Sequence, residues 1–472
     1  MSLRNLFPLL CLLIHSALFA ANPTPPPPGP ERPLHLPQMT ERKLSNGLLV
    51  VIAPLPNVPK VSAVLSFQVG RATWRDQHPG APSIAASVVT EGTTTRTSKQ
   101  IQEELRSMGA SINASANEDA TQLSGSTLSE FTAQYLALLS DIVQHPSFPE
   151  TEVSLAKQNT IQSIEAQRAS PDFLASERLR KEIFGAHPYS FLVPDAGSVE
   201  KITGNDLKEF AAKYYLPNNA HLILVGDIQP AQGFAMVEKA FGSWKSGETI
   251  AEKTAEPALR DKRKIYFVNR PGSVQSTISL GIATFPRKSP DYFAARTADN
   301  IFGGSFDSRL TANIREKRGY TYSPFSLNFT MAQSGLFTVN AAVRNEVTGA
   351  TLLETFYEMD RMRVLPVSDD ELKSAKSYQN GTFSIELASQ NGLASRIDTI
   401  YTYGLPHDFI QKFRDKVNAV TLQDVENAAA KYFDSYRCAI VIVGDYPKVK
   451  DQVKPFGDVT VYDENGNEVK GL

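Results

Sequence analysis

Apolar and polar positions change period repeatedly along this chain, and the same succession of periods occurs twice. The first pass opens with alternating residues at 41–44 and 48–52 around Ser45-Asn46-Gly47, the signature of a hairpin with an Asn-Gly turn. A second strand is predicted at 61–69. Helical spacing follows at 80–91 and 97–109, then an antiparallel strand pair at 112–120 and 120–128. Further helices are expected at 129–144, 150–168, 172–184 and 203–214, and the apolar run His221-Leu222-Ile223-Leu224-Val225 closes the pass at Gly226-Asp227. The second pass starts near Arg263. It predicts a strand at 278–283, a helix at 291–302, strands at 322–331 and 334–343, and helices at 346–364, 368–388, 391–402 and 421–433. It ends on Ala439-Ile440-Val441-Ile442-Val443-Gly444-Asp445.

The two passes share wording. The segment 202–215, from Ile202-Thr203-Gly204-Asn205-Asp206 to Lys213-Tyr214-Tyr215, returns as 420–433, from Val420-Thr421-Leu422-Gln423-Asp424 to Lys431-Tyr432-Phe433. Gly226-Asp227 and Gly444-Asp445 are separated by the same 218 residues. Each copy places a threonine before the helix and an acidic residue three positions on, which is capping-box spacing. A helix, a linker and a buried strand repeated at one offset predict a duplication. The fold expected is α+β: two homologous modules, each a mostly antiparallel sheet packed with helices, facing each other around a chamber. Their predicted limits are 39–247 and 265–455, joined by a charged linker at 248–264, with a C-terminal tail at 456–472.

Composition changes this picture little. The 472 residues are 42% hydrophobic and 21% charged with a formal net charge of −2, so no basic excess points to nucleic acid. The N-terminus differs: one arginine, an apolar run over 6–19 and Ala20-Ala21 read as a secretory signal peptide over 1–21. A proline-rich linker, 22–38, follows. The protein is thus expected to be exported, periplasmic or secreted, with no membrane attachment after cleavage. Removing the signal leaves Cys438 as the only cysteine, beside an apolar strand where a buried, inert thiol is expected.

Candidate chemistry concentrates in 303–323, GGSFDSRLTANIREKRGYTYS, placed by the duplication roughly where the first module has Pro79-Gly80 onward. Arg315 and Tyr322 lie seven residues apart across a predicted helix-to-strand junction, which lets a guanidinium and a phenol reach one extended ligand. A surface helix followed by a tyrosine-rich strand is the other local reading. Arg318 and Tyr320 are alternative contacts one step away, and Phe325 and Phe329 are either a substrate wall or strand core.

The duplication, the Val-Gly-Asp strand ends and the run Ser308-Arg309-Leu310 … Ile314-Arg315-Glu316-Lys317-Arg318-Gly319-Tyr320-Thr321-Tyr322-Ser323 together resemble the pitrilysin-type metallopeptidases, the superfamily of insulin-degrading enzyme and the mitochondrial processing peptidase. Asn269-Arg270-Pro271-Gly272, His187-Pro188-Tyr189 and Leu216-Pro217-Asn218-Asn219 add to the resemblance, which covers about residues 40–450. Active members carry an inverted His-x-x-Glu-His motif on a helix of the first module, where two imidazoles one turn apart hold Zn²⁺ and the glutamate polarises its water. Aligned through Gly92-Thr93, the histidine positions fall on Ser83 and Ser87, the glutamate position on Ala86, and the downstream ligand position near Ser163, two residues from Glu165. No two of the seven histidines are four residues apart, so no metal site is expected in this chain. The resemblance gives Arg315 and Tyr322 the role of contacting the substrate main chain and the developing oxyanion, with Arg318, Tyr320 and Phe325 as further substrate-binding residues. It implies the non-zinc subunit of an exported heterodimeric zinc metalloendopeptidase. Such a chain is inactive alone, binds extended or unfolded peptides, and relies on a homologous partner for Zn. The alternative is a non-catalytic peptide-binding or assembly protein of the same fold.

Overall fold

A computed structural model describes residues 33–74, 77–249, 256–257 and 260–471. The expected signal peptide, most of the proline-rich linker, and residues 250–255 and 258–259 of the charged linker lie outside them. The first module contains β1 (Thr40–Lys43), β2 (Leu49–Pro54), β3 (Lys60–Phe67), α1 (Ala81–Val88), α2 (Ser98–Ser107), β4 (Ser111–Ala116), β5 (Thr121–Leu128), α3 (Thr132–Gln144), α4 (Glu150–Arg168), α5 (Pro171–Phe184), α6 (Ala196–Lys201), α7 (Gly204–Tyr214), β6 (Ala220–Gly226) and α8 (Pro230–Phe241). The second contains β7 (Lys264–Asn269), β8 (Gln275–Thr284), α9 (Tyr292–Asp299), β9 (Phe325–Thr330), β10 (Gly335–Arg344), α10 (Thr348–Val364), α11 (Asp369–Glu386), α12 (Gln390–Tyr403), α13 (Phe409–Ala419), α14 (Leu422–Tyr432), β11 (Ala439–Gly444), α15 (Tyr446–Val453) and β12 (Val459–Tyr462).

Each module builds one six-stranded, mostly antiparallel sheet, in the orders β1-β2-β6-β3-β5-β4 and β12-β7-β11-β8-β10-β9. The orders superpose strand for strand except at one edge. There β1 lies antiparallel to β2, whereas β12 lies parallel to β7. The segment expected as a tail therefore supplies the edge strand that the second module lacks. Both repeat helices begin with a complete capping box, Thr203 with Asp206 and Thr421 with Asp424. Helices α8 and α15, absent from the predicted set, have proline in their first turn and follow the repeated strands directly.

Register within the duplication differs from the expectation in one place. Helices α1 and α9 both pack on the capped repeat helices α7 and α14. The stretch at 303–323 follows α9, so it matches the segment after α1, through α2 to β4, rather than Pro79-Gly80 onward. Gly109 and Gly319, with φ of 55° and 63°, end the helical segments at matching points.

The modules exchange helices. Helix α5 of the first module lies across β8 and β11 of the second sheet, and α12 of the second lies across β3 and β6 of the first. The α5 interface is apolar: Leu174, Leu179, Ile183 and Phe184 pack with Val268, Leu336, Val441 and Val443. Gly281 makes room for it, since a Cβ there would stand 2.6 Å from the Ile183 Cδ1. Strand β11, sandwiched between α5 and the module core, is buried at every position, as a doubly covered strand must be. The α12 interface is mixed: Val64, Ile223 and Val225 are buried on the strand faces it covers, and polar bonds fix it in place. Asp398 accepts from Ser66, from His221 Nε2 at 2.8 Å and from Gln122 Nε2 at 3.0 Å, while Ser62 donates to Asn391 at 2.5 Å.

Because Asp398 is the acceptor shared by three strands' side chains in a buried setting, its removal strands their donors. Asp398→Ala is expected to cost about 3 kcal/mol in urea unfolding, and Asp398→Asn, which retains one acceptor, less than half of that.

Candidate functional site

The 303–323 stretch departs from α-helical geometry. Helix α9 runs into a π-helical turn, Asn300–Gly304, and a second π-helix covers Thr311–Lys317. Such wide turns change the facing of every later side chain and recur at functional sites. Gly303 lets the first turn press onto β9, where a Cβ would meet the Leu310 Cδ1 and the Ser326 Oγ at 2.6 Å. The Ser308-Arg309-Leu310 step is the anchor. Leu310 is fully buried, and Arg309 donates two bonds to Glu371 at 2.6 and 2.9 Å. Those bonds hold the Glu371 carboxyl down at about 2. Asn313, within the second π-helix, donates to Glu354 at 2.9 Å and to the buried Glu358 at 2.7 Å. The backbone carrying Arg315 is thereby fixed from both sides.

Arg315 and Tyr322 come together. The Arg315 guanidinium carbon sits 4.4 Å from the Tyr322 ring centre and 4.6 Å from that of Phe306, a cation–π arrangement on two rings. Its Nε lies 3.1 Å from the Glu316 carboxylate. The Arg315 side chain is 22% exposed, and Tyr322 is 78% exposed. Both line a chamber of about 1130 Å³ between the modules, walled by α5 on one side and by β8, β9 and β10 on the other. Tyr320 and Phe325 line it as well, together with Leu327 and Phe329. These three residues of β9, at alternate positions, are exposed on one face while Ser326 between them is buried. Arg318 is not brought to the chamber. It pairs with Glu354 at 2.6 Å and faces a separate groove beside α10.

A second cavity, of about 560 Å³, opens beside the first and shares Arg71, Gln167, Leu192 and Val193 with it. Ser83 and Ser87 on α1 and Ser163 on α4 all line this cavity, so the positions aligned with a zinc motif do converge in space. Ala86 is buried against the protein, and Glu165 is exposed and lines neither cavity. The residues do not fit a zinc ion. Serine hydroxyls remain protonated near neutral pH and replace imidazole and carboxylate poorly. Ser87 already donates to the Ile84 carbonyl at 2.9 Å, and Ser163 accepts from Gln167 at 3.0 Å. Among the described residues no three His, Cys, Asp or Glu side chains are grouped as a metal site requires.

Several residues at or beside the chamber were given no role from the sequence. Arg71 and Arg180 both pair with Glu118, at 2.9 and 2.7 Å. Asp119 accepts from the Ala332 amide at 2.9 Å and from Tyr189, whose hydroxyl also accepts from the Gln333 amide at 3.2 Å. These bonds latch the β9–β10 turn onto the first module. Tyr189 belongs to the His187-Pro188-Tyr189 motif, and this latch is the structural reason for its tyrosine. No local periodicity announces pairs so distant in sequence.

Beneath the stretch lies Asp299, at the end of α9, where burial raises its carboxyl to about 6 despite a bond from Ser326. The folded chain therefore holds a proton that the unfolded chain releases between about pH 4 and 6, so stability falls as pH rises through that window, by at most about 3 kcal/mol. Asp299→Asn is expected to flatten this slope, measured as urea unfolding midpoints from pH 4 to 8.

Comparison with known proteins agrees with this geometry. Residues 49–192 match the family described as Insulinase (Peptidase family M16), and residues 201–378 match Peptidase M16 inactive domain. An uncharacterized zinc protease of Rickettsia felis is 27% identical over 405 residues, covering 85% of this chain and 96% of that protein. A non-peptidase homolog from Helicobacter pylori is 22% identical over 398 residues, covering 82% and 89%. The crystal structure of a peptidase M16 inactive domain from Pseudomonas fluorescens superposes with a TM-score of 0.81 at 27% identity, covering 86% of this chain and 98% of that one. Two sheets of matching order around a chamber, and serine and alanine where the zinc motif would stand, thus occur in a chain that belongs to the M16 insulinase family.

Proposed function

We propose that this chain is a non-catalytic peptide-binding protein built on the M16 fold. The observation that carries this reading is the chamber itself. It keeps Arg315 and Tyr322 on an exposed wall beside Phe325, Leu327 and Phe329, while the adjoining cavity offers only hydroxyls at the zinc-motif positions. The Arg315 guanidinium and the Tyr322 O–H are donors suited to main-chain carbonyls of an extended peptide. Strands β4 and β9 end their sheets and leave backbone groups for strand addition, which holds a peptide with little dependence on sequence. The apolar face of β9 supplies contact area. The names of its relatives support the reading in part: the Pseudomonas fluorescens domain is called inactive and the Helicobacter pylori protein a non-peptidase. Export belongs to the same proposal and rests on residues 1–21 as a signal peptide. No helix among the described residues is long and apolar enough to cross a membrane.

A second reading is favoured by one detail. The serine-lined cavity shares walls with the chamber that carries Arg315 and Tyr322. A chain so built suits the non-zinc half of a heterodimeric metalloendopeptidase, in which a homologous subunit supplies the metal and this chain positions the peptide.

Four measurements test these readings. The purified chain is expected to contain less than a tenth of an equivalent of zinc by mass spectrometry and to leave a quenched peptide uncut. The triple substitution Ser83→His, Ser87→His, Ser163→Glu is expected to take up close to one equivalent, since those positions line one cavity; uptake by the unaltered chain would contradict the site assignment. Tyr322→Phe and Arg315→Ala are expected to weaken binding of an extended 12-residue peptide by roughly 5-fold and more than 10-fold, in line with the loss of neutral and charged hydrogen bonds. Peptide cleavage that arises only on mixing with a zinc-bearing homologue, and is lost with Arg315→Ala, would favour the second reading over the first.

A further inference from the structure

The chain as a whole is nearly neutral, with 48 basic and 50 acidic residues. Its chamber is not. The charged side chains lining it are Arg71, Arg180, Arg315 and Arg344 against Asp172 alone, with no lysine or glutamate among them. Glu118 occupies both Arg71 and Arg180, and Glu316 stands 3.1 Å from the Arg315 Nε, yet the Arg71 Nε remains buried without an acceptor. Arg344 is exposed and has no carboxylate within ion-pair distance among the described residues.

Two of these guanidiniums, those of Arg315 and Arg344, share one end of the β9–β10 wall, while Arg71 and Arg180 are held by Glu118 toward the β9–β10 turn at the other. Phe325, Leu327 and Phe329 pair with Asn340, Thr338 and Leu336 of β10. Arg344 lies on the same face of β10, four residues beyond Asn340, or about 13 Å further at strand rise. Tyr322 and Arg315 stand at that same end, where the chain enters β9. The β9–β10 wall itself therefore runs from an apolar end to an end carrying the Arg315 and Arg344 guanidiniums. Guanidinium groups are weakly hydrated, and their planar donors match carboxylates two by two.

We infer that the chamber selects acidic peptides: extended segments with apolar side chains at alternate positions, followed about four residues on by aspartate or glutamate. This inference rests on the peptide-binding reading and assigns Arg344 as the residue that determines the charge preference.

Fluorescence anisotropy on the purified chain tests it with three labelled 12-residue peptides. All share one alternating Phe/Leu–Ser half, and the other half carries four Glu, four Ser or four Lys. The Glu peptide is expected to bind at least 10-fold more tightly than the Ser peptide, with Lys weakest, and added salt should narrow the gap. Arg344→Glu, an exposed substitution whose fold is checked by circular dichroism, should bring the Glu and Ser peptides within 2-fold. Equal binding of Glu and Ser peptides by the unaltered chain, or preference for Lys, overturns the charge inference and leaves the peptide-binding reading standing. An unchanged preference in Arg344→Glu overturns the assignment of Arg344. If none of the three binds, both the inference and the reading beneath it fall.

Discussion

The reciprocal loan of α5 and α12 between the modules is the constraint on which everything else depends. A sheet with one helical layer leaves its other face apolar or half-polar, and that face must be covered. Here each module covers the other's, and the chamber is the space that α5 leaves over β8 and β10. Its walls therefore come from both modules. Side chains far apart in sequence, such as Phe173 and Thr338, face one volume because the exchange fixes the distance between sheets.

The two halves of the exchange differ in chemistry. The α5 side relies on packing of Leu179, Ile183 and Val441, with Gly281 permitting the approach. Apolar packing is strong but tolerant of small slides. The α12 side adds to buried Val64, Ile223 and Val225 the acceptor Asp398 and the donors Ser66, His221 and Gln122, whose geometry admits one register. The Asp119–Tyr189 latch onto the β9–β10 turn adds a third fixed point at the chamber rim. One soft contact and two directional ones suffice to hold the Arg315 wall at a defined distance from the serine-lined cavity.

Duplication left the modules alike in frame and unlike in chemistry. At matching places after the first helix, the first module carries the regular helix α2, whereas the second carries the π-helix of Arg315. That irregular segment persists because Arg309 is fastened to Glu371, and Asn313 to Glu354 and Glu358. Wide backbone turns are costly alone and are kept where side-chain bonds over-determine them.

Much was legible in the chain's own order of residues. The Thr-x-x-Asp caps at 203 and 421, the buried strands before each Gly-Asp and the Asn46-Gly47 hairpin are local devices, encoded by neighbours in the chain. The duplication and the loss of the zinc ligands are also statements about residue identity, and sequence determines them. Tertiary structure decided what depends on distance. It placed Ser83, Ser87 and Ser163 in one cavity and turned Arg318 away to Glu354 while Arg315 met Tyr322. It also made an edge strand of Val459–Tyr462 and gathered four arginines on one chamber. Partners such as Asp398 and His221, 177 residues apart, leave no periodic trace, because only the packing of the whole chain brings them within a hydrogen bond.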